Sequence, residues 1–193
     1  MAKQHIQFTL PDWLTDYIGE TTAIPAVEDR MSFVIGAAKL NSLHKTGGPF
    51  AAAIFESRTG RLISLGVNLV TSQGLSILHA EMVAISLAQR KLGVYDLGST
   101  GQPQHQLVAS TEPCAMCFGA IPWSGVRELV TGARDEDARA IGFDEGPKLT
   151  DWKIALTGRG IGVITDLKRR EAAAVLKDYV AEGGHIYNSR EGD

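Results

Sequence analysis

One histidine, one glutamate and two cysteines in this chain fall in an order that could build a hydrolytic metal centre. They lie in His79-Ala80-Glu81 and in Pro113-Cys114-Ala115-Met116-Cys117. Zinc accepts an imidazole and two thiolates, and three protein ligands leave its fourth position for water. Water held there is far easier to deprotonate, with a pKa of about 7 in favourable sites. The resulting hydroxide is a nucleophile at neutral pH. Glu81, two residues beyond the histidine, is placed to take the water proton and pass it on. The set predicts one zinc per subunit, held by His79, Cys114 and Cys117, with Glu81 as proton shuttle.

Other readings use the same residues. Cys-x-x-Cys alone also fits a redox dithiol, but that motif gives no role to His79 and Glu81. A closed structural zinc site needs a fourth protein ligand. His105, in a polar Gln-Pro-Gln-His-Gln stretch, is the nearest candidate, and His44 and His185 are more distant. None has a ligand-pair spacing. Glu81 could also be a salt-bridging residue at a helix start. Because 34 residues separate His79 from Cys114, only a fold can bring the two ligand sets together.

That fold should place both sets at helix starts, where free backbone N–H groups and the positive dipole end stabilise thiolates. Ala80 to Leu92 reads as a helix, with Met82, Ile85 and Ala88 among its buried positions. Gln106 to Ser110 reads as a short strand. Thr111-Glu112-Pro113 then turns the chain into the cysteine helix, where a proline near the first turn costs little. Upstream, Met31, Val34, Ile35, Ala38 and Leu43 recur at helical spacing between Glu28 and His44, and Gly47-Gly48-Pro49 stops that helix. Phe50 to Phe55 and Leu62 to Val70 flank a turn at residues 56–60 and form an antiparallel hairpin. Trp13 to Ile18 is a short amphipathic piece. Downstream come a strand at Arg127 to Thr131, a short helix at Glu136 to Ile141, a strand at Gly162 to Thr165 and a helix at Lys168 to Ala181. Lys168-Arg169-Arg170 reads as a solvated helix face. The alternation predicts one α/β domain over residues 1–193, a three-layer α/β/α arrangement with a mixed sheet of about five strands. Helical crossovers favour parallel pairing after the hairpin.

Composition narrows the partners. Of 193 residues, 44% are hydrophobic and 21% charged, as in an ordinary soluble globule. No apolar run approaches the roughly 20 residues of a membrane helix, and the first residues do not read as a secretory peptide. Nineteen Lys and Arg against 22 Asp and Glu give a net charge of −3, which speaks against a phosphate-tracking surface. The expectation is therefore neither nucleic acid nor membrane as a partner. Both cysteines lie in the metal motif, so neither is left for a structural disulfide, which suits a reducing cytoplasm.

H-x-E with P-C-x-x-C is also the pattern of zinc deaminases of nucleobases. The chain resembles the cytidine deaminase-like superfamily, and more narrowly the bacterial guanine deaminases that also accept the triazine ammeline. The likeness runs through Gly48-Pro49-Phe50, Gly66-Val67-Asn68, residues 79–81, residues 112–121 and Trp123-Ser124-Gly125-Val126. It continues through Ile141 to Pro147 and Ile186-Tyr187-Asn188. It implies hydrolysis of guanine at C2 to xanthine and ammonia, in guanine catabolism. It also implies a base pocket built from Phe50, Asn68, His79, Ala80, Trp123, Phe143 and Tyr187. Phe50 and Phe143 would be flat walls, and the Asn68 amide a donor and acceptor for the base edge. Glu145 would be a second acid against the base, with Asp144 its neighbouring competitor. The tail, residues 184–193, would close an active site, commonly a partner's, in a homodimer with exchanged C-terminal segments. Aminotriazine or other free-base deaminases share this chemistry. So do transfer-RNA adenosine deaminases, which usually carry a histidine near Trp123 and a basic C-terminal region. A non-catalytic zinc-binding module is the reading from another class.

Overall fold

Every element that bears a candidate site residue leans on one mixed sheet. The computed structural model describes residues 5–189. Its strands are β1 (Ala51–Glu56), β2 (Leu62–Val67), β3 (His105–Thr111), β4 (Glu128–Ala133) and β5 (Gly162–Ile164), in the spatial order β2-β1-β3-β4-β5. The helices are α1 (Asp12–Ile18), α2 (Val27–Leu43), α3 (Val70–Gln73), α4 (Ala80–Leu92), α5 (Ala115–Ser124), α6 (Asp135–Ala140), α7 (Trp152–Thr157) and α8 (Arg169–Ala181).

Alternation along β1 sorts the two faces. Ala51, Ala53 and Phe55 pack with Met31, Val34 and Ala38 of α2 and Val175 of α8. Ala52 and Ile54 face the other way, onto Ala84 and Ala88 of α4, Ile121 of α5 and Trp152 of α7. The result is the expected three-layer α/β/α sandwich. Small residues let the layers close up. A side chain at Gly66 of β2 would run into the backbone of Ala80 and Ala84, so α4 packs directly on the sheet there.

The pairing is subtler than hairpin-then-parallel. β1 pairs antiparallel with both β2 and β3, and only β3–β4 and β4–β5 are parallel. The α4 crossover does join parallel strands, β2 and β3, but β1 lies between them. As a consequence the start of β1 and the ends of β2 and β3 meet at one edge, since Ala51 pairs with Val67 and Ala52 with Ala109. β2 also ends earlier than its apolar run suggested. Asn68 Oδ1 accepts from Val70 N at 3.2 Å, which turns the chain into α3. Helix α7 had no strong sequence signal; Trp152 and Leu156 bury one face of it. Among the described residues, no helix is long and apolar enough to cross a membrane.

Candidate active site

The sheet edge where β1 begins and β2 and β3 end is also where α4 and α5 start. His79 is the N-cap of α4 and Cys114 the N-cap of α5, both with extended backbone. Open α/β sheets commonly place ligands outside strand carboxyl ends, and the free N–H groups of helix starts add a positive field there. Ligand atoms of His79, Cys114 and Cys117 lie within 4.8 Å of one another. Cys114 Sγ is 3.5 Å from His79 Nδ1. A partly buried imidazole beside two buried thiols, with no fourth side chain in the group among the described residues, fits a zinc ion with an open position.

The rival fourth ligands lie elsewhere. His105 is fully buried at the start of β3, its Nδ1 2.8 Å from Leu97 O. His44 stacks on Trp13, and His185 lies beside Tyr187 in the tail.

Charge at the centre is tightly coupled. The Cys117 thiol hydrogen-bonds to the Cys114 sulfur, which helps hold Cys114 down at about 4 despite burial. Cys117 is correspondingly pushed well up by that bond and by burial. Burial alone would lower His79, but its hydrogen bond to Cys114 and the surrounding negative charges raise it on balance. Burial, then the Cys114 charge, pushes Glu81 up to about 7, with His79 opposing. Glu145 goes up to about 8 through burial and the charges of Cys114 and Glu81, with Lys148 opposing. Both carboxyls are almost wholly buried, 8% and 7% exposed. Two acids poised near neutrality beside a metal site are suited to moving protons.

A cavity of about 220 Å³ opens beside this centre, and Phe50, Asn68, His79, Ala80, Glu81, Phe143, Asp144, Glu145 and Tyr187 line it. Phe143 meets Phe50 edge-on at 5.0 Å and Tyr187 edge-on at 5.1 Å. Tyr187, Asn188 and Ser189 of the tail line the cavity. Tyr179 Oη donates to His185 O at 2.6 Å, and Asn188 Nδ2 donates to Gly142 O at 2.9 Å. Asp144 N donates to Asn188 Oδ1 at 2.9 Å. The Tyr187 hydroxyl is buried at the cavity and has no hydrogen-bond partner among the described residues. Residues 190–193 of the expected tail lie outside the described residues.

Asn68 is less versatile than its amide suggests. Its Oδ1 accepts from Val70 N at 3.2 Å and Gly48 N at 3.4 Å. Turning the amide over would set its NH₂ against those N–H groups, so the amide nitrogen is what it can offer the cavity. Trp123 is not brought to this cavity. It stands on α5, 86% exposed, while the buried face of that helix carries Cys117 and Ile121.

Three supporting residues were not anticipated. Asn41, buried in α2, donates to Gly48 O and Asn68 O. Glu112 and Lys148 are buried beside the cysteine turn. A polar residue within the apolar face of α2 was a usable signal for Asn41. Lys148 has no periodic context, and its burial arises only from the fold.

Residues 26–133 match the family described as the cytidine and deoxycytidylate deaminase zinc-binding region, a stretch that holds all four residues of the metal motif. A solved structure of guanine deaminase from Nitrosomonas europaea superposes with a TM-score of 0.89 at 45% identity, covering 94% of this chain and 99% of that one. Guanine deaminase of Bacillus subtilis is 39% identical over 99 residues, which span 51% of this chain and 59% of that protein. A tRNA-specific adenosine deaminase of Buchnera aphidicola is 32% identical over 119 residues, 62% of this chain and 72% of that protein.

Proposed function

We infer the reaction from family membership: the chain belongs to the cytidine and deoxycytidylate deaminase zinc-binding family, and its likeness to a guanine deaminase extends over nearly its whole length. It is a zinc-dependent aminohydrolase that converts guanine and water to xanthine and ammonia. The observation that carries this reading is the near-complete structural match to a guanine deaminase, joined to a base-sized cavity between the three-ligand group and two proton-poised acids.

His79, Cys114 and Cys117 would hold the zinc, which when bound makes water nucleophilic near neutral pH. Glu81 accepts a proton from that water and returns it to the substrate, a task that its raised pKa suits. Water's oxygen ends on C2; one of its hydrogens ends on the ring nitrogen N3 and the other leaves with the amino group as ammonia. Glu145, whose pKa burial raises, lines the same cavity and can share that traffic. Asn68 donates its amide N–H to an acceptor on the base edge. Phe50 and Phe143 give apolar walls, and Tyr187 shuts the mouth.

Cavity size supports a free base. At about 220 Å³ it is smaller than the roughly 300–1,000 Å³ of ordinary drug-sized sites. The docked tail leaves little room for a ribose, and still less for an RNA strand. The absence of a cysteine outside the metal group fits a reducing cytoplasm. Packing of the described elements on one sheet supports one domain. The bare indole of Trp123 supports a homodimer that covers it, with the tails closing their own sites or exchanged between subunits.

Ammonia release from guanine, ammeline, adenine, cytosine and guanosine tests the assignment. Guanine should be turned over with xanthine as product. Zinc-loaded protein that acts on adenosine in RNA and ignores guanine would refute it.

A further inference from the structure

Outside the metal group, the most unusual ionisable cluster lies behind the cysteine turn. The side chain of Lys148 is only 7% exposed, and its Nζ is 2.9 Å from Asp135 Oδ1 and 3.6 Å from Glu112 Oε2. It also donates to the carbonyl of Pro113 at 3.0 Å and sits 5.1 Å from the centre of the Trp152 ring. Pro113 immediately precedes the metal ligand Cys114. Lys148 itself stands three residues beyond Glu145. The one side chain thus spans the gap between the loop that carries the second acid and the turn that carries the first cysteine.

Other bonds also hold the loop: Gly146 N donates to Asp144 Oδ1 at 2.8 Å, and Asp144 N to Asn188 Oδ1 at 2.9 Å. Ala115 N donates to Glu145 O at 2.9 Å, and Arg139 of α6 donates to Gly146 O at 2.9 Å. These hold the loop's middle. Its exit is held at Lys148, whose backbone N donates to Gly146 O at 3.0 Å and whose ammonium reaches Pro113 O, Asp135 and Glu112. A lysine tail with most of its length buried is a costly tether to order, and the Asp135 and Glu112 carboxylates hold its end in place.

We propose that Lys148 is a positioning residue for the deamination: by bridging to the Pro113 carbonyl it sets the spacing between the Glu145 carboxyl and the Cys114 end of the metal centre. The proposal rests on the guanine deaminase reading. Its effect should fall on the chemical step, because the walls that hold the base, Phe50, Asn68 and Phe143, are supported by other elements. Misplacing a reacting group by about 1 Å can cost on the order of a hundredfold in rate.

The test uses zinc-loaded full-length protein carrying Lys148→Met, compared with wild type and with Asp135→Asn. The second variant removes one ion pair and leaves the lysine on Pro113. Lys148→Met should lower kcat by about ten- to a hundredfold while KM stays within about threefold and zinc content is unchanged. Asp135→Asn should lose markedly less. If Lys148→Met does not fold, Lys148→Gln, a shorter neutral donor, is judged by the same three readouts. An unchanged kcat in a folded, zinc-loaded variant overturns the proposal. So does loss of zinc in step with kcat, or an equal loss in Asp135→Asn, either of which assigns the cluster a scaffold role. Wild-type protein that binds zinc but releases no ammonia from guanine refutes the substrate assignment, and the proposal with it, a result plainly distinct from failure of the Lys148 variants alone.

Discussion

The backbone carbonyl of Glu145 accepts a hydrogen bond from Ala115 N at 2.9 Å, so the loop that carries the second acid also satisfies the first amide of the cysteine helix. Helix starts leave such amides without partners. Here that need ties a proton-handling residue to the metal ligands. Gly146, with φ of +68°, lets the loop pass Ala115 closely; a side chain there would meet the alanine methyl at 3.1 Å.

Glu81→Gln should abolish most turnover and leave the metal in place. A positioned acid–base group contributes about 10²- to 10⁴-fold, and kcat on guanine should fall by that order. Zinc content by atomic absorption should match wild type. Metal lost together with activity would instead make Glu81 a ligand or a structural support.

Glu145→Gln should also keep zinc and lower kcat, because the amide cannot exchange a proton although it still fills the site. Steady-state guanine kinetics check this. Wild-type rates would remove Glu145 from the mechanism and return attention to Asp144, which lines the same cavity.

Gly48 is where the tail lands. A methyl at that position would collide with the Tyr187 hydroxyl and ring. Gly48→Ala should therefore loosen the tail and reduce kcat/KM in the same direction as deletion of residues 184–193. Unchanged constants in both variants would show that closure by Tyr187 is dispensable.

Asn68→Asp separates the two ends of one amide. A carboxylate still accepts from Gly48 N and Val70 N, so the turn survives, but the donor facing the cavity is gone and a negative charge replaces it. A lost buried hydrogen bond of this kind is worth about 1–3 kcal/mol, and kcat/KM for guanine should drop accordingly with thermal stability nearly unchanged. Wild-type kinetics would place the base edge elsewhere.

How much of this was legible in the chain depends on how local the signal is. His79, Glu81, Cys114 and Cys117 stood out because their chemistry is specific and their helix starts are marked by the neighbouring sequence; α4 has the expected limits, Ala80–Leu92. The three-layer arrangement also followed from the succession of strands and helices. The antiparallel β1–β3 pairing was not readable, because strand neighbours are chosen by tertiary packing and not by the connecting helix. Trp123 shows how a family-like stretch and the local packing can point different ways. Its place in a family-like stretch suggested the pocket, whereas one face of α5 is committed to Cys117 and Ile121 and turns the indole outward. Asn68 and Lys148 needed coordinates, since the first is defined by which backbone amides it already serves and the second by burial among distant acids.

Zinc content and ammonia release, measured together on the purified chain, test the central claim most directly. The account predicts about one zinc per chain, the stoichiometry of a three-ligand catalytic site. Guanine turnover should cease on chelation and return when zinc alone is restored. Full turnover by metal-free protein, or a fully zinc-loaded chain inert toward guanine, would contradict it.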